Sequence, residues 1–322
     1  MSGILAFDTS NYTSSAAYLD MDSGRGANVS RLLPVSPGAL GLRQSEAVFS
    51  HVRAMPQILD ELAAQPEFGK ADYFAASDAP RAVNGSYMPC FLVGMTLART
   101  MAAAQAQGVR PLFFSHQQGH IAAAVYSAQC MEMLAQPFLA WHLSGGTTEL
   151  LLIRPDEQHL FSETILGGTM DISAGQFIDR AGVALGLGFP CGRALSDIAD
   201  AAPSQERYKV KVEGARFSLS GMENRVRDML IHGAGDAKVA NFVLNTVIYA
   251  VEQATRQALE TYPGLPVLCS GGVASNARFR RKMRDGFDVC FARPEFSTDN
   301  AMGIAVLAAA RLLGGIPKWT NG

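Results

Sequence analysis

The chain has 322 residues, 48% hydrophobic and 17% charged, with a formal net charge of -2. This composition excludes a disordered chain and a globally basic field for nucleic acid, and the length suits two α/β lobes better than one small core. No apolar run is long enough to span a bilayer and the opening MSGILAFDTS lacks a basic leader, so a cytoplasmic location is expected.

Gly3 to Phe7 is apolar and ends in Asp8-Thr9-Ser10. After a turn-like stretch from Asn11, Ala16 to Leu19 is apolar again, which predicts strand, polar turn, strand. Ser45 to Leu62 has helical spacing, with Pro56 placed to kink or split it. Ala79 to Pro89 reads as a loop near a ligand cleft, and the alanine-rich Met95 to Ala106 as a helix. Phe138 to Leu143, Ser144 to Thr148 and Leu150 to Ile153 repeat the opening strand-turn-strand design, which predicts a duplicated lobe. Phe177 to Leu185 is a short helix stopped by Gly186, Gly188 and Pro190. Val239 to Tyr262 is a long helix, Val267 to Gly272 a strand and glycine turn leading into a helical pattern over Val273 to Met283, and Ala301 to Leu313 an apolar helix. Strands alternating with helices predict α/β layers. The lobes are expected to be 1–110 and 111–322, with the last helix crossing back. Five cysteines without a CxxC pair argue against a zinc knuckle and for small buried hydrophobes.

His116-Gln117-Gln118-Gly119-His120 is the sharpest motif. Residues four apart share one helix face, so both imidazoles can reach one ion. Paired capping or surface histidines would look the same. Gln117 stands where the zinc-peptidase motif needs a glutamate, which argues against that chemistry. Two histidines need a third ligand, and Asp299 within Ser297-Thr298-Asp299-Asn300 is the best candidate, its plainer reading being a helix cap. The turns Ser144-Gly145-Gly146 and Ser270-Gly271-Gly272, with Asp8-Thr9-Ser10, can aim backbone N–H groups at phosphate, although ordinary hairpins use the same residues. Asp179-Arg180 ahead of Gly186, Gly188, Pro190 and Gly192 suits ribose hydroxyls or a plain helix stop. Arg278, Arg280, Arg281, Lys282 and Arg284 suit phosphates or a solvated helix face.

In this order the pieces resemble the TsaD-type transferase family, also called glycoprotease-like. The resemblance runs through Ile4 to Ser10, His116 to His120, Ser144 to Thr148, Phe177 to Arg180 with Phe189 to Gly192, Phe217 to Gly221, Ser270 to Asn276, and Thr298 to Ala301. It implies an actin-like, sugar-kinase-like ATPase fold of two duplicated α/β lobes. It also implies transfer of a threonylcarbamoyl group from threonylcarbamoyl-adenylate to the exocyclic amine of a tRNA adenosine beside the anticodon. By the same resemblance His116, His120 and Asp299 bind a divalent metal, iron or zinc. His142, Leu143, Ser144, Gly145, Gly146, Asp179, Gly192 and Asn276 bind the adenylate or an ATP-type ligand. The metal would hold and polarise the threonyl end, no covalent nucleophile is implied, and the partners would be tRNA and subunits of the same fold.

The chain departs from the family pattern at Tyr12-Thr13 (an acidic pair), Gln118 (glutamate), Thr147 (histidine), Cys191 (glycine), Glu223 (lysine) and the Ala79-to-Gly85 loop (a glycine-rich loop). The metal trio and nucleotide turns survive, while several polar groups on the acceptor side do not. The expectation is therefore a divergent transferase, with a non-catalytic or altered-substrate nucleotide-binding paralogue acting as a partner subunit as the alternative.

Overall fold

A computed structural model describes residues 2–34, 42–83, 85–105, 108–157, 159–296 and 298–319. Ala106, Asn84 and Ser297, which the sequence reading placed at a helix end, in a loop and in the Asp299 motif, lie outside them. The chain opens with β1 (Gly3–Thr9), β2 (Thr13–Asp20) and β3 (Gly26–Leu32), then α1 (Gln44–Ala63), β4 (Ala71–Ala79), α2 (Phe91–Ala104), β5 (Leu112–Ser115) and α3 (His116–Ala128). It continues through β6 (Phe138–Leu143), β7 (Thr148–Asp156), β8 (Leu160–Thr169), α4 (Ala174–Ala184), α5 (Gly192–Ala201), β9 (Arg216–Phe217), α6 (Ser220–Ile231) and α7 (Asp236–Thr261). The last elements are β10 (Val267–Ser270), α8 (Ala277–Gly286), β11 (Val289–Phe291) and α9 (Met302–Leu313).

Two compact units result. The first holds Met1–Gln136, Pro155–Ser162 and Glu295–Gly322, the second Pro137–Arg154 and Glu163–Pro294. The boundary expected near residue 110 therefore shifts. β5 pairs in parallel with β4, and α3 packs on α9, so both stay with the first unit and α9 belongs there too.

The sheets share one design. The first runs β3-β2-β1-β4-β5; the second contains β8-β7-β6-β10-β11, with β9 added beyond β8. In each, the first strand pairs antiparallel with the next and parallel with a later one: β1 with β2 and β4, β6 with β7 and β10. The repeated strand-turn-strand pattern of the sequence is this duplication.

Residue pattern accounts for the layers. β1 is central and buried at every position, as a strand covered on both faces must be. α1 buries Ala47, His51, Met55, Ile58 and Leu62, the stripe of an amphipathic helix. It runs unbroken through Pro56, because Pro56 lies on the exposed side, as does Val52, whose carbonyl loses its partner to the proline and is left to water. α9 is buried from Met302 to Ala310, which explains why it is apolar all round. The strand β3, polar and half-exposed at the sheet edge, carries no alternation that the sequence reading could have used. Residues 186–192 do form the expected stop, but Gly192 starts a further amphipathic helix, α5, with Leu195 and Ala199 inward. Cys90, Cys191 and Cys269 are free and buried. Among the described residues no helix is long and apolar enough to cross a membrane.

Candidate functional site

In the first unit, α3 starts at His116. Its N-cap, Ser115, accepts from the Gln118 backbone N–H, and the Gln118 side chain accepts from the Ser115 N–H, a capping box. The Gln118 amide also donates to the carbonyls of His159 and Phe161, which a glutamate could not do. The departure at residue 118 is therefore structural. Gly119, between the two histidines, lets α9 close in: a Cβ on Gly303 would fall 1.8 Å from the Gly119 carbonyl oxygen. This backbone contact sets α3 against the segment carrying Asp299.

The result is a convergent trio. His116 Nε2 lies 3.0 Å from His120 Nε2, and Asp299 Oδ1 lies 3.7 and 3.2 Å from those two atoms. One ligand atom from each residue falls within 4.8 Å of the others. His116 Nδ1 is 2.7 Å from Asp8 Oδ2. Burial alone would lower the His116 pKa, but Asp8 and Asp299 outweigh it and lift it to about 9. Burial would raise that of Asp299, yet His120, His116 and Ser10 hold it well below the carboxylate range. Two carboxylates facing two imidazoles ask for positive charge at one point. Two convergent ring nitrogens and one carboxylate oxygen, with a carboxylate behind His116, are the donor set of a divalent transition metal.

The second unit gathers a different kind of site. Ser144 closes the β6–β7 turn by accepting from the Thr147 N–H at 3.0 Å and the Gly146 N–H at 3.3 Å. The start of α4 docks on this turn: Ser173 Oγ donates to the Gly145 carbonyl at 2.7 Å, and a Cβ on Gly175 would meet Gly145 Cα at 2.6 Å. Gly145 and Gly146 themselves face open space. Beside them is a cavity of about 790 Å³ lined by Gly145, Asp179, Gly192, Ser196, Gly272 and Asn276, among others.

Of the eight residues expected to bind adenylate, Gly145, Asp179, Gly192 and Asn276 therefore share this wall. Gly146 and Ser144 shape its neighbouring turn. Leu143 is a core side chain, fully buried, and Gly271, at φ +94°, packs on its carbonyl. His142 sits beside Ser270 on the paired strand, with 3.3 Å from Nδ1 to Oγ. Asn276 caps α8 through the Phe279 N–H and donates to Ser196 Oγ, so its amide is already engaged. Asp179 Oδ1 accepts from the Cys191 N–H at 2.8 Å and holds the loop that opens α5. Ser196 was not singled out from the sequence; its place four residues after Gly192, on one helix face, is the signal that would have found it.

The basic run on α8 is mostly spent on packing. Arg278 bonds Asp200, Asn241 and Asn245, Arg280 the carbonyls of Ala274 and Ala292, and Lys282 pairs with Glu252. Arg284 lies over the Phe291 ring. Arg281, Lys282 and Arg284 are exposed and form the solvated face, while Arg278 and Arg280 are engaged in packing. The Phe217-to-Gly221 segment starts α6. Asp171 accepts there from Leu219 N–H at 2.8 Å, from Ser220 N–H at 3.1 Å and from Ser218 Oγ. Glu223, on α6, takes both its oxygens to 3.1 Å from Arg180 Nη1 on α4.

Comparisons with known proteins give a family from sequence and a fold from structure. The family model described as TsaD, tRNA N6-adenosine threonylcarbamoyltransferase, matches residues 41–306. A curated protein of that name from Thermus thermophilus is 30% identical over 274 residues, covering 83% of this chain and 80% of that one. One from Salinibacter ruber is 32% identical over 268 residues, covering 76% and 77%. Among solved structures, full-length HypF in a phosphate- and nucleotide-bound form superposes with a TM-score of 0.59 at 14% identity, over 99% of this chain and 47% of that one. Component A of the (R)-2-hydroxyglutaryl-CoA dehydratase of Acidaminococcus fermentans gives 0.57 at 15%, over 98% and 100%. These two show the fold alone, the actin-like ATPase fold.

Proposed function

The chain belongs to the tRNA N6-adenosine threonylcarbamoyltransferase family, and on that premise we propose that it transfers a threonylcarbamoyl group to a tRNA adenosine with one divalent metal bound by His116, His120 and Asp299. The observation that carries this is the convergence of those three ligand atoms, 116 to 299 in the chain, on one point. Iron or zinc suits two imidazoles and a carboxylate. Bound there, the ion would act as a Lewis acid toward an oxygen of the transferred group.

The chain's own residues do the rest. In the second unit, the Gly145-Gly146 turn offers backbone N–H groups to a phosphate, Asp179 accepts from ribose hydroxyls, and the cavity holds the base. The adenosine amine bonds to the carbamoyl carbon and gives up one N–H proton, the bond from that carbon to the phosphate oxygen breaks, and AMP leaves with the proton passing to its phosphate or to water. Fixed backbone donors stabilise the departing phosphate without reorganising. A cytoplasmic setting and a partner subunit of the same fold belong to this reading.

Glu223 favours a second reading, an altered acceptor. Where the family pattern has a lysine, this chain has a carboxylate paired to Arg180, so two basic positions become a neutral pair. The test is transfer from threonylcarbamoyl-adenylate to unmodified tRNA, read as the modified nucleoside by mass spectrometry, for the unaltered protein and for Glu223→Lys. Modified nucleoside from both supports the first reading. Product only from Glu223→Lys supports the second, and none from either, with or without a partner homologue, would contradict transferase activity.

A further inference from the structure

The turn Asp8-Thr9-Ser10 reads in sequence like the glycine turns of the second unit, as a phosphate cradle. Its side chains are committed elsewhere. Asp8 is almost fully buried, and its two oxygens go to different partners: Oδ1 accepts from Ser77 Oγ at 2.5 Å, Oδ2 lies 2.7 Å from His116 Nδ1. Ser77 is itself fully buried, so the carboxylate is held at both ends. Ser10 Oγ donates to Asp299 Oδ2 at 2.7 Å. Two residues further along the ligand segment, the Ala301 N–H donates to Ser15 Oγ at 2.8 Å and to Asn28 Oδ1 at 2.9 Å. One β-hairpin thus grips both ligand-bearing segments, although His116 and Asp299 lie 108 and 289 residues away in the chain from the side chains that hold them.

We propose that Asp8 and Ser10 are positioning residues of the metal site, which fix how His116 and Asp299 present their ligand atoms. The proposal rests on reading the trio as a metal site. The chemistry is specific. An imidazole that ligates a metal is in its neutral form with one N–H, and Asp8 claims that N–H at Nδ1. That leaves the Nε2 lone pair directed toward His120 and Asp299. A carboxylate has two equivalent oxygens, and Ser10 makes them unequal by taking Oδ2. Oδ1 is then the oxygen that faces both imidazoles. Asp8 also adds negative charge behind His116, which makes the ring a stronger donor. Removing either support leaves the ligands in place but lets them turn, and a turned imidazole or carboxylate no longer converges.

Cobalt(II) titration tests this, because cobalt's visible bands report ligand geometry as well as occupancy. Affinity is read by competition against a coloured chelator, and folding by circular dichroism and thermal melting. Asp8→Asn keeps the shape but removes the charge; it is expected to bind cobalt about 10–100-fold more weakly, with shifted bands. Ser10→Ala is expected to lose about 2–10-fold, the worth of one hydrogen bond. A purely structural role would lower the melting temperature and leave affinity and bands unmoved. If Asp8→Asn does not fold, Ser77→Ala replaces it, since it frees the same carboxylate. Variants that bind within about twofold of the unaltered protein, with the same bands, would overturn the proposal. Failure of the unaltered protein to bind cobalt would instead remove the metal reading itself, and this proposal with it.

Discussion

The two units use one sheet design to build opposite kinds of site. In the first, the candidate site is built of side chains: His116, His120 and Asp299 converge, with Asp8 and Ser10 hydrogen-bonded behind them. In the second, the candidate site is built largely of backbone: Gly145, Gly192 and Gly272 line an open cavity, and Asp179 and Asn276 there hold a loop and a helix end. A side-chain site depends on exact placement and fails abruptly when a support moves. A backbone site tolerates side-chain loss and fails gradually.

The largest test of that contrast is Gly303→Ala. Its methyl would lie 1.8 Å from the Gly119 carbonyl oxygen, so α3 and α9 must separate. The expected cost is about 1–3 kcal/mol of stability, with loss of most metal binding, measured by thermal melting and metal titration. Unchanged metal affinity would show that the close helix contact does not position the trio.

Asp179→Ala should act more mildly. It removes a charged hydrogen-bond acceptor, worth about 1.5–3 kcal/mol or ~10–100-fold in affinity for a non-hydrolysable adenylate. Calorimetric titration would show it, with metal content unaltered. A complete loss of binding would mean the cavity depends on side chains as the first site does.

The smallest effect is at Asp171. Burial pushes its pKa up, but hydrogen bonds from Ser218, Ser220 and Leu219 outweigh this and hold it well below the carboxylate range. A depressed folded-state pKa means stability that is present above the ordinary carboxylate pKa, about 4, and lost as pH falls through the lower folded value. Asp171→Ala should cost about 1 kcal/mol, as lost helix caps do, and should flatten the fall in stability below about pH 4. Chemical denaturation at several acidic pH values measures both.

How much of this was legible in the sequence follows the same division. Local spacing showed the histidine pair, because four residues make one helical turn, and strand-turn-strand periodicity showed the duplication. The half-exposed β3 was not legible, since it bears no clean apolar alternation; α5 does carry helical spacing at Leu195, Ile198 and Ala199, but the glycines and proline just before it read as a stop. Asp8 was visible but assigned to phosphate. Its partner His116 is remote in sequence, and only the parallel pairing of β1, β4 and β5 brings Asp8, Ser77 and the start of α3 side by side. Leu143 was assigned to the ligand through the family resemblance of the His142-to-Gly146 stretch; β6, buried at every position but the partly exposed His142, puts its side chain in the core.

The most direct test of the central claim is the metal content of anaerobically purified protein, measured by elemental mass spectrometry beside a His116→Ala/His120→Ala variant. The account predicts near-stoichiometric iron or zinc in the unaltered protein and none in the variant. No metal in either after reconstitution, or equal metal in both, would contradict it.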